Sequence, residues 1–390
     1  MDIFWAKPED WKNLDLDKIS TPCYLVDENL LKRNLEILDL IQKKTGAKIL
    51  MALKGFSMFS LFPIIQKYLH GVSASSLFEA RLGKEKFGKE VHLFAPAFRE
   101  DEFEEIMKYS NHIIFNSFSQ WDLFKGRVLS EGKNIRCGIR VNPEHREVKT
   151  ALYDPCGPFS RLGVRKKDFQ SRSLEGISGL HFHNLCELNA DSLERTLAAF
   201  IENFEEFLPK LKWVNFGGGH HITRPDYDTD LLCKIIINFK KRYPRLEVYL
   251  EPGEAIALNT GVLISTVLDI VENEMDIAIL DTSAAAHMPD VLEMPYRPEI
   301  ANAQEPKKQP FTYRLGGMTC LAGDVIGDYS FANPLKIGSK LIFLDMAHYT
   351  MVKNNTFNGV NLPQIAIRNK KGDIKIIKKF GYNDYLNRLS

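Results

Sequence analysis

The sequence predicts an α/β fold in which a (β/α)8, TIM-like barrel is joined to a second, mostly β-sheet domain. First, eight short apolar runs alternate with amphipathic, helix-like stretches. Second, several runs end in reactive residues, which lie together at the C-terminal strand ends of such a barrel. Third, strand-like runs dominate after residue 260. The predicted domains are residues 36–260 for the barrel, and residues 1–35 with 261–390 for the β domain.

The composition narrows the function classes. The 390 residues are 44% hydrophobic and carry a formal net charge of +1, without a long basic run or an apolar run of membrane length. This disfavours nucleic acid and membranes as partners. The start MDIFWAKPEDWKNLD lacks the apolar core of a secretory signal, and the six cysteines show no CxxC spacing. We therefore expect a cytoplasmic protein with reduced thiols.

The predicted barrel strands are short runs rich in aliphatic residues. In chain order they are Lys48–Leu53, Gly71–Ser75, Val91–Ala95, His112–Asn116, Arg136–Val141, Ser178–His183, Lys212–Phe216 and Glu247–Glu251. The helices predicted around them are Leu30–Lys44, Phe78–Phe87, Glu102–Tyr109, Asp191–Leu208 and Leu231–Tyr243.

The β domain is predicted from six later runs and one early one. The early run, Thr21–Asp27, precedes the barrel and is expected to join the later sheet. The later runs are GVLISTVLDIV, DIAILDTS, FTYRLGG, KLIFLDM, QIAIRN and DIKIIKKF. Loops of this domain carry further candidates: Asp281, the segment MTCLAGD with Cys320 and Asp324, and Tyr349 upstream of TFNG.

Two basic residues stand at predicted strand ends. Lys54 directly follows the first barrel strand. A solvated strand end would explain it, but partial burial at the barrel's C-terminal end would also lower its pKa enough for a nucleophilic amine. Arg140, in the fifth strand, could orient a hydroxyl or carboxylate, and a structural ion pair is as good an explanation.

Histidines, glycines and a carboxylate follow the last three strands. Strand alternation places His181 and His183 on one face, so a metal pair is considered, but no third ligand has convincing spacing. A histidine packed on a flat cofactor fits the strand end better. Gly217-Gly218-Gly219 suits a phosphate, which often binds after strands seven and eight of such barrels. Glu251 is a surface acid, a general base or a partner for a protonated ring nitrogen, and the neighbouring lysine and glycines favour the last.

Together these motifs resemble the fold type III pyridoxal-phosphate decarboxylases, the group of ornithine, arginine and diaminopimelate decarboxylases. The resemblance implies that Lys54 in MALKG is the Schiff-base lysine and that His183 in HFHN stacks on the pyridine ring. It also implies that the glycine run binds phosphate and that Glu251 in EPGE keeps the ring nitrogen protonated. Tyr349 and Arg140 are implied as further contacts of the cofactor, pyridoxal 5'-phosphate.

The resemblance also assigns roles in the β domain. Cys320, with Asp324 in the same loop, is implied to reach the active site of a neighbouring subunit, so a homodimer with shared active sites is expected. Asp281, Asp324, Arg297 and Glu251 are implied to bind substrate. With Lys54, His183 and Glu251, Cys320 completes the predicted catalytic set, and no metal is predicted.

Departures from the common motifs point to one branch of this family. The usual H-[IV]-G-S is HNLCE here, and the usual EPGR is EPGE, which places Glu254 where an arginine often contacts phosphate. These features are similar to the branch that decarboxylates carboxynorspermidine and carboxyspermidine. The implied products are norspermidine or spermidine and carbon dioxide.

Four alternatives stay open at this point. A diaminopimelate or ornithine-type decarboxylase would share the motifs, and an amino-acid racemase would share the barrel, although Glu251 disfavours it. A non-catalytic pyridoxal-phosphate-binding protein would not need the β domain. A metal-dependent hydrolase would use His181, His183, His220 and His221.

Overall fold

The computed structural model describes residues 8–11, 14–130, 134–170 and 172–390. Two compact units are present, one spanning residues 33–256 and the other formed by the described residues up to 32 together with 257–390. Strand β1 (Cys23–Asp27) and helix α1 (Glu28–Thr45) come before the barrel. The Asp27 carboxylate accepts the backbone N–H of Leu30 at 2.8 Å, which caps the start of α1.

Eight parallel strands form a closed barrel in which the last strand pairs with the first. They are β2 (Lys48–Ala52), β3 (Gly71–Ala74), β4 (Glu90–Phe94), β5 (His112–Phe115), β6 (Arg136–Arg140), β7 (Ile177–His181), β8 (Trp213–Asn215) and β9 (Glu247–Leu250). The predicted barrel is therefore confirmed, with each strand end within one or two residues of its predicted place.

Helices follow each of the eight barrel strands. They are α2 (Phe62–Ile65), α3 (Leu77–Leu82), α4 (Phe103–Tyr109), α5 (Phe118–Ser130), α6 (Lys166–Phe169), α7 (Ala190–Phe204), α8 (Thr229–Arg242) and α9 (Glu254–Ala257). Two predicted helices change type before they end: α3 continues as a π-helical turn, and α7 as a 3-10 helix that contains Pro209. Helix α5 was not predicted, although it buries Phe118, Trp121 and Phe124.

Side chains fill the barrel interior. Trp213 packs there with Leu50, Ile114 and Tyr249, all fully buried. A Cβ atom at Gly179 would lie 2.0 Å from the Trp213 indole, so the glycine on β7 makes room for this ring. The barrel is thus a packed core, and any chemistry must take place at its ends.

The second unit is a mostly β structure built on one nine-stranded sheet. Its remaining strands are β10 (Gly261–Glu272), β11 (Asp276–Leu280), β12 (Ala303–Gln304), β13 (Phe311–Gly316), β14 (Val325–Phe331), β15 (Lys340–Phe343), β16 (Gln364–Arg368) and β17 (Ile374–Lys378). Its helices are α10 (Ala284–His287), α11 (Asp290–Glu293), α12 (Thr350–Lys353) and α13 (Tyr382–Leu389).

Strand β1 lies inside this sheet. It pairs antiparallel with β10 and parallel with β16, which confirms that the N-terminal strand joins the later strands. The sheet order is β12-β14-β13-β11-β10-β1-β16-β17, and β15 also pairs with β10. Strand β14 was not predicted, because Gly327 and Asp328 interrupt its apolar pattern. In the described part of the chain, no helix has the length and apolar character needed to cross a bilayer.

Candidate active site

Polar side chains converge at the C-terminal ends of the parallel barrel strands, called the mouth below. Lys54 follows β2, and Arg140, His181 and Asn215 are the last residues of β6, β7 and β8. Glu251 directly follows β9. Because all eight strands run in one direction, these residues lie at the same end of the barrel.

Glu251 is a buried carboxylate with a partner on each oxygen. The Asn215 side chain donates from Nδ2 to Oε1 at 2.7 Å, and His181 Nε2 lies 3.2 Å from Oε2. Burial acts to raise the pKa of Glu251, but the contacts with His181 outweigh it and lower this pKa to about 2. Burial lowers the pKa of His181. Glu251 is therefore ionised, and neither of its direct partners carries a permanent charge.

His183 is held in place from two sides. Its Nδ1 accepts the backbone N–H of Gly218 at 3.2 Å, and its carbonyl oxygen accepts from Arg140 Nη2 at 2.6 Å. Burial, with the charges of Lys54 and Arg140, lowers the pKa of His183 well below its usual value. His183 therefore presents a neutral, oriented ring at the mouth.

The Lys54 side chain is solvent-exposed as a whole, but protein atoms pack around its amine. These surroundings lower the pKa of the amine. Burial is the main cause that lowers its pKa, and the Arg140 charge acts in the same direction. Glu251 and Glu79 act in the opposite direction. The Glu79 carboxylate accepts the backbone N–H of Ser75 at 2.7 Å. A larger neutral fraction makes the Lys54 amine more nucleophilic.

The three glycines form a strap that packs tightly against neighbouring backbone. Gly217 has φ +74° and donates its N–H to Asn215 Oδ1 at 2.8 Å. A Cβ atom at Gly217 would lie 2.3 Å from the Phe182 carbonyl oxygen, and one at Gly219 would lie 1.9 Å from that of Leu185. Close packing against the backbone therefore requires glycine at both positions. Phosphate binding by this strap stays a prediction.

The two motif departures also have defined surroundings. Glu254 Oε2 lies 2.9 Å from His221 Nε2, and His221 Nδ1 lies 3.3 Å from Arg224 Nη1. His221 therefore pairs with Glu254. In the HNLCE segment, burial raises the pKa of the Cys186 thiol to about 12.

The two predicted substrate-binding aspartates of the β unit are engaged within the protein. Asp281 accepts from the Ser265 hydroxyl and the Thr266 N–H, both at 2.8 Å. Asp324 is buried and accepts from the hydroxyls of Ser283 at 2.8 Å and Thr319 at 2.6 Å. Both carboxylates thus hold local structure, and their contact with substrate stays a prediction.

The other predicted residues of this unit differ in exposure. Cys320 is exposed, and its backbone N–H donates to Asn358 Oδ1 at 2.7 Å. Arg297 forms an ion pair with Glu305 and lies over the Tyr329 ring, with 4.8 Å between the guanidinium carbon and the ring centroid. Tyr349 is half-buried with φ +48°. Its roles and those of Cys320 and Arg297 stay predictions.

The histidines also bear on the metal alternative. One donor atom each of His181, His183 and Glu251 lie within 4.8 Å of one another, so a third potential ligand exists that the spacing did not reveal. His183 Nδ1, however, is already engaged by Gly218.

The loop between β6 and α6 comprises residues 141–165. It lines a cavity of about 970 Å³ in the barrel unit together with the start of α5. Its arginines are paired there: Arg146 with Asp154 at 2.6 Å and Arg165 with Glu144 at 2.5 Å. Neither Lys54 nor Glu251 lines the cavity.

Comparison with known proteins identifies the family. The model described as "Pyridoxal-dependent decarboxylase, C-terminal sheet domain" matches residues 23–347. A carboxynorspermidine/carboxyspermidine decarboxylase of Campylobacter jejuni is 47% identical, over 95% of this chain and 98% of that protein. A carboxyaminopropylagmatine decarboxylase of Synechocystis is 46% identical, over 97% of both.

Solved structures agree with this result. The crystal structure of carboxynorspermidine decarboxylase from Campylobacter jejuni, complexed with norspermidine, has a TM-score of 0.88 and 45% identity. The match covers 95% of this chain and 100% of the chain in that crystal structure. Diaminopimelate decarboxylase from Helicobacter pylori has a TM-score of 0.81 at 19% identity, over 98% of this chain and 99% of that one, and shows the shared fold. The chain belongs to the pyridoxal-dependent decarboxylase family, whose cofactor is pyridoxal phosphate.

Proposed function

We propose that this enzyme decarboxylates carboxynorspermidine and carboxyspermidine to norspermidine and spermidine, with release of carbon dioxide, in polyamine biosynthesis. The observation that carries the proposal is the near full-length similarity to the Campylobacter jejuni relative, at 47% identity. The relative's structure with norspermidine, at 45% identity, supports the same class of ligand.

The residues at the mouth suit pyridoxal phosphate. Glu251 is a buried anion whose direct contacts, Asn215 and His181, carry no permanent charge, so a protonated ring nitrogen would supply a compensating positive charge. Lys54 offers an exposed amine of lowered pKa, which suits attack on an aldehyde. His183 offers a neutral ring against which a flat cofactor can pack.

Each of the polar residues at the mouth then has a role in the reaction. When bound, the cofactor supplies a sink for the electrons released as the substrate carboxylate leaves. Lys54 would hold the cofactor covalently, and Glu251 would hold the proton on the ring nitrogen. His183 would fix the ring plane, and Arg140 would fix His183 through its carbonyl. The glycine strap would contact the phosphate, chiefly through Gly219, because the N–H groups of Gly217 and Gly218 have protein partners.

The roles proposed for the β unit follow the family resemblance. Cys320, or water beside it, would return a proton to the carbon that lost its carboxylate. Asp281, Asp324 and Arg297 would bind the substrate, and Tyr349 would contact the phosphate. Such roles call for a homodimer with shared active sites, in which residues 36–260 bind the cofactor. The six free cysteines support a cytoplasmic location.

A second substrate is supported by one observation. The Synechocystis carboxyaminopropylagmatine decarboxylase is 46% identical over 97% of both chains, nearly equal to the Campylobacter jejuni relative. Carboxyaminopropylagmatine is therefore the alternative substrate, with the same carboxylate loss from a longer cationic chain.

The test is carbon dioxide release by the purified holoenzyme. Carboxynorspermidine, carboxyspermidine, carboxyaminopropylagmatine, ornithine and meso-diaminopimelate are compared at equal concentrations by their kcat/KM values. We expect the highest value for carboxynorspermidine or carboxyspermidine. A higher value for carboxyaminopropylagmatine would select the alternative, and turnover of only diaminopimelate or ornithine would overturn the polyamine assignment.

A further inference from the structure

We propose that Asn215 is a positioning residue that fixes the Glu251 carboxylate and the glycine strap in one arrangement. The inference rests on the proposed function and adds a residue that the motifs did not indicate. Its side-chain amide donates to Glu251 Oε1 at 2.7 Å and accepts from the Gly217 N–H at 2.8 Å. One side chain therefore connects the proposed partner of the ring nitrogen with the proposed phosphate-binding segment.

The backbone gives Asn215 little freedom to move. It is the last residue of β8, is fully buried, and lies opposite Tyr249 of β9 in the parallel register. Its carbonyl oxygen accepts the Phe182 N–H at 3.0 Å, and the Phe216 N–H donates to the Tyr249 carbonyl oxygen at 2.9 Å. The amide is thus held on both sides by neighbouring strands, as a rigid support for a site requires.

The carboxylate needs this support. His181 contacts Oε2 at 3.2 Å, which leaves Oε1 to Asn215. The Glu251 backbone N–H donates to the Gly217 carbonyl oxygen at 2.8 Å, so carboxylate and strap are also joined through the main chain. Loss of the Asn215 amide would leave Oε1 of a buried anion without its donor, and the carboxylate would lose its orientation toward the ring nitrogen.

Two substitutions separate the two functions of the amide. Asn215→Asp has nearly the same shape and keeps an oxygen that accepts from Gly217, but it places a carboxylate oxygen against Glu251 Oε1. Asn215→Ala removes both hydrogen bonds. His112→Asn is the matched control. His112 is buried in the barrel as Asn215 is, but it lies at the N-terminal ends of the strands, away from the mouth.

The decisive readout is the ¹⁵N resonance of enzyme-bound pyridoxal phosphate labelled at the ring nitrogen. We expect the wild type and His112→Asn to show the protonated form, and Asn215→Asp to shift toward the neutral form. In both Asn215 variants kcat should fall by about 10- to 100-fold, as for loss of an outer-shell hydrogen bond at a metal site, with KM changed much less. Asn215→Ala should also weaken cofactor binding, measured by equilibrium dialysis, at least as much as Asn215→Asp does.

The outcomes separate this inference from the proposed function. If the wild type binds no cofactor, the proposed function fails. If the wild type binds it and Asn215→Asp leaves both the resonance and kcat unchanged, the positioning role is wrong. A lower melting temperature with an unchanged resonance in both variants would make Asn215 a purely structural residue and would also overturn the inference.

Discussion

The two ends of the barrel carry similar residues in different electrostatic arrangements. At the N-terminal strand ends, called the floor, Glu247 accepts from Lys48 at 2.6 Å and from Arg136 at 2.5 Å. At the mouth, the anion Glu251 contacts Asn215 and His181, neither of which is permanently charged, while Lys54 is exposed. Charges at the floor are therefore compensated within the protein, whereas those at the mouth suit a bound, charged ligand.

The histidines differ in the same way. At the floor, the rings of His92 and His112 stack with centroids 3.7 Å apart, and Tyr249 packs against His92 at 4.7 Å. At the mouth, His181 contacts Glu251, and His183 is oriented by Gly218. Both ends thus pair a buried histidine with a carboxylate, since His92 Nε2 also lies 3.1 Å from Glu90 Oε2, but only the floor histidines stack on one another.

The largest loss of activity is expected when Lys54, rather than Lys48, is replaced. The two lysines lie at opposite ends of β2. Lys54→Ala should lower kcat by at least about 10³-fold, as for removal of an essential nucleophile, with loss of the covalent cofactor. Lys48→Ala is the control, because Lys48 pairs only at the floor, with Glu247 and Tyr249. Carbon dioxide release should be nearly unchanged in this control. Equal loss of activity in both variants would remove the distinction between the two ends.

The next largest difference in activity is expected between variants of Glu251 and Glu247, at the two ends of β9. Glu251→Gln should lower kcat by about 10²–10³-fold, because a neutral amide cannot stabilise a protonated ring nitrogen. Glu247→Gln should keep kcat and lower the free energy of unfolding by about 1–2 kcal/mol, a value limited by the partial exposure of its ion pairs. Kinetics and urea unfolding test this, and an active Glu251→Gln enzyme would contradict it.

The smallest expected effect is a pH dependence at the floor. Burial, and next the charge of His92, lower the pKa of His112 far below its usual value. The unfolded chain then binds more protons below pH of about 6.5, so stability is lost as the pH falls from there. His112→Asn should reduce this slope by about 1.4 kcal/mol per pH unit. An unchanged slope in urea unfolding between pH 6.5 and 5 would show that His112 does not titrate on unfolding.

The barrel could be predicted from the sequence because each strand is a local signal. Runs such as Lys48–Leu53 are mostly apolar and bounded by polar residues, and their alternation with helices selects the fold. Lys54 and Glu251 could be placed at the mouth for the same reason, since each follows a strand. Strand β14 lacked this local signal and is recognisable by its pairing with β12 and β13.

Contacts between distant residues could not be predicted in this way. Asn215 becomes a partner of Glu251 only because β8 and β9 are neighbours in a set register. The serine hydroxyls that donate to Asp281 and Asp324 could not be predicted either, since they come from distant parts of the chain. The hydrogen-bond partners of an acid depend on tertiary structure, which spacing does not encode.

The most direct test of the mouth as the active site is to locate the lysine that binds the cofactor. The holoenzyme is reduced with borohydride, digested, and analysed by mass spectrometry for a phosphopyridoxyl-lysine. We predict one modified residue per chain, Lys54, with Lys48 unmodified. Modification at another lysine, or none after reconstitution with pyridoxal phosphate, would contradict the assignment of the mouth as the active site.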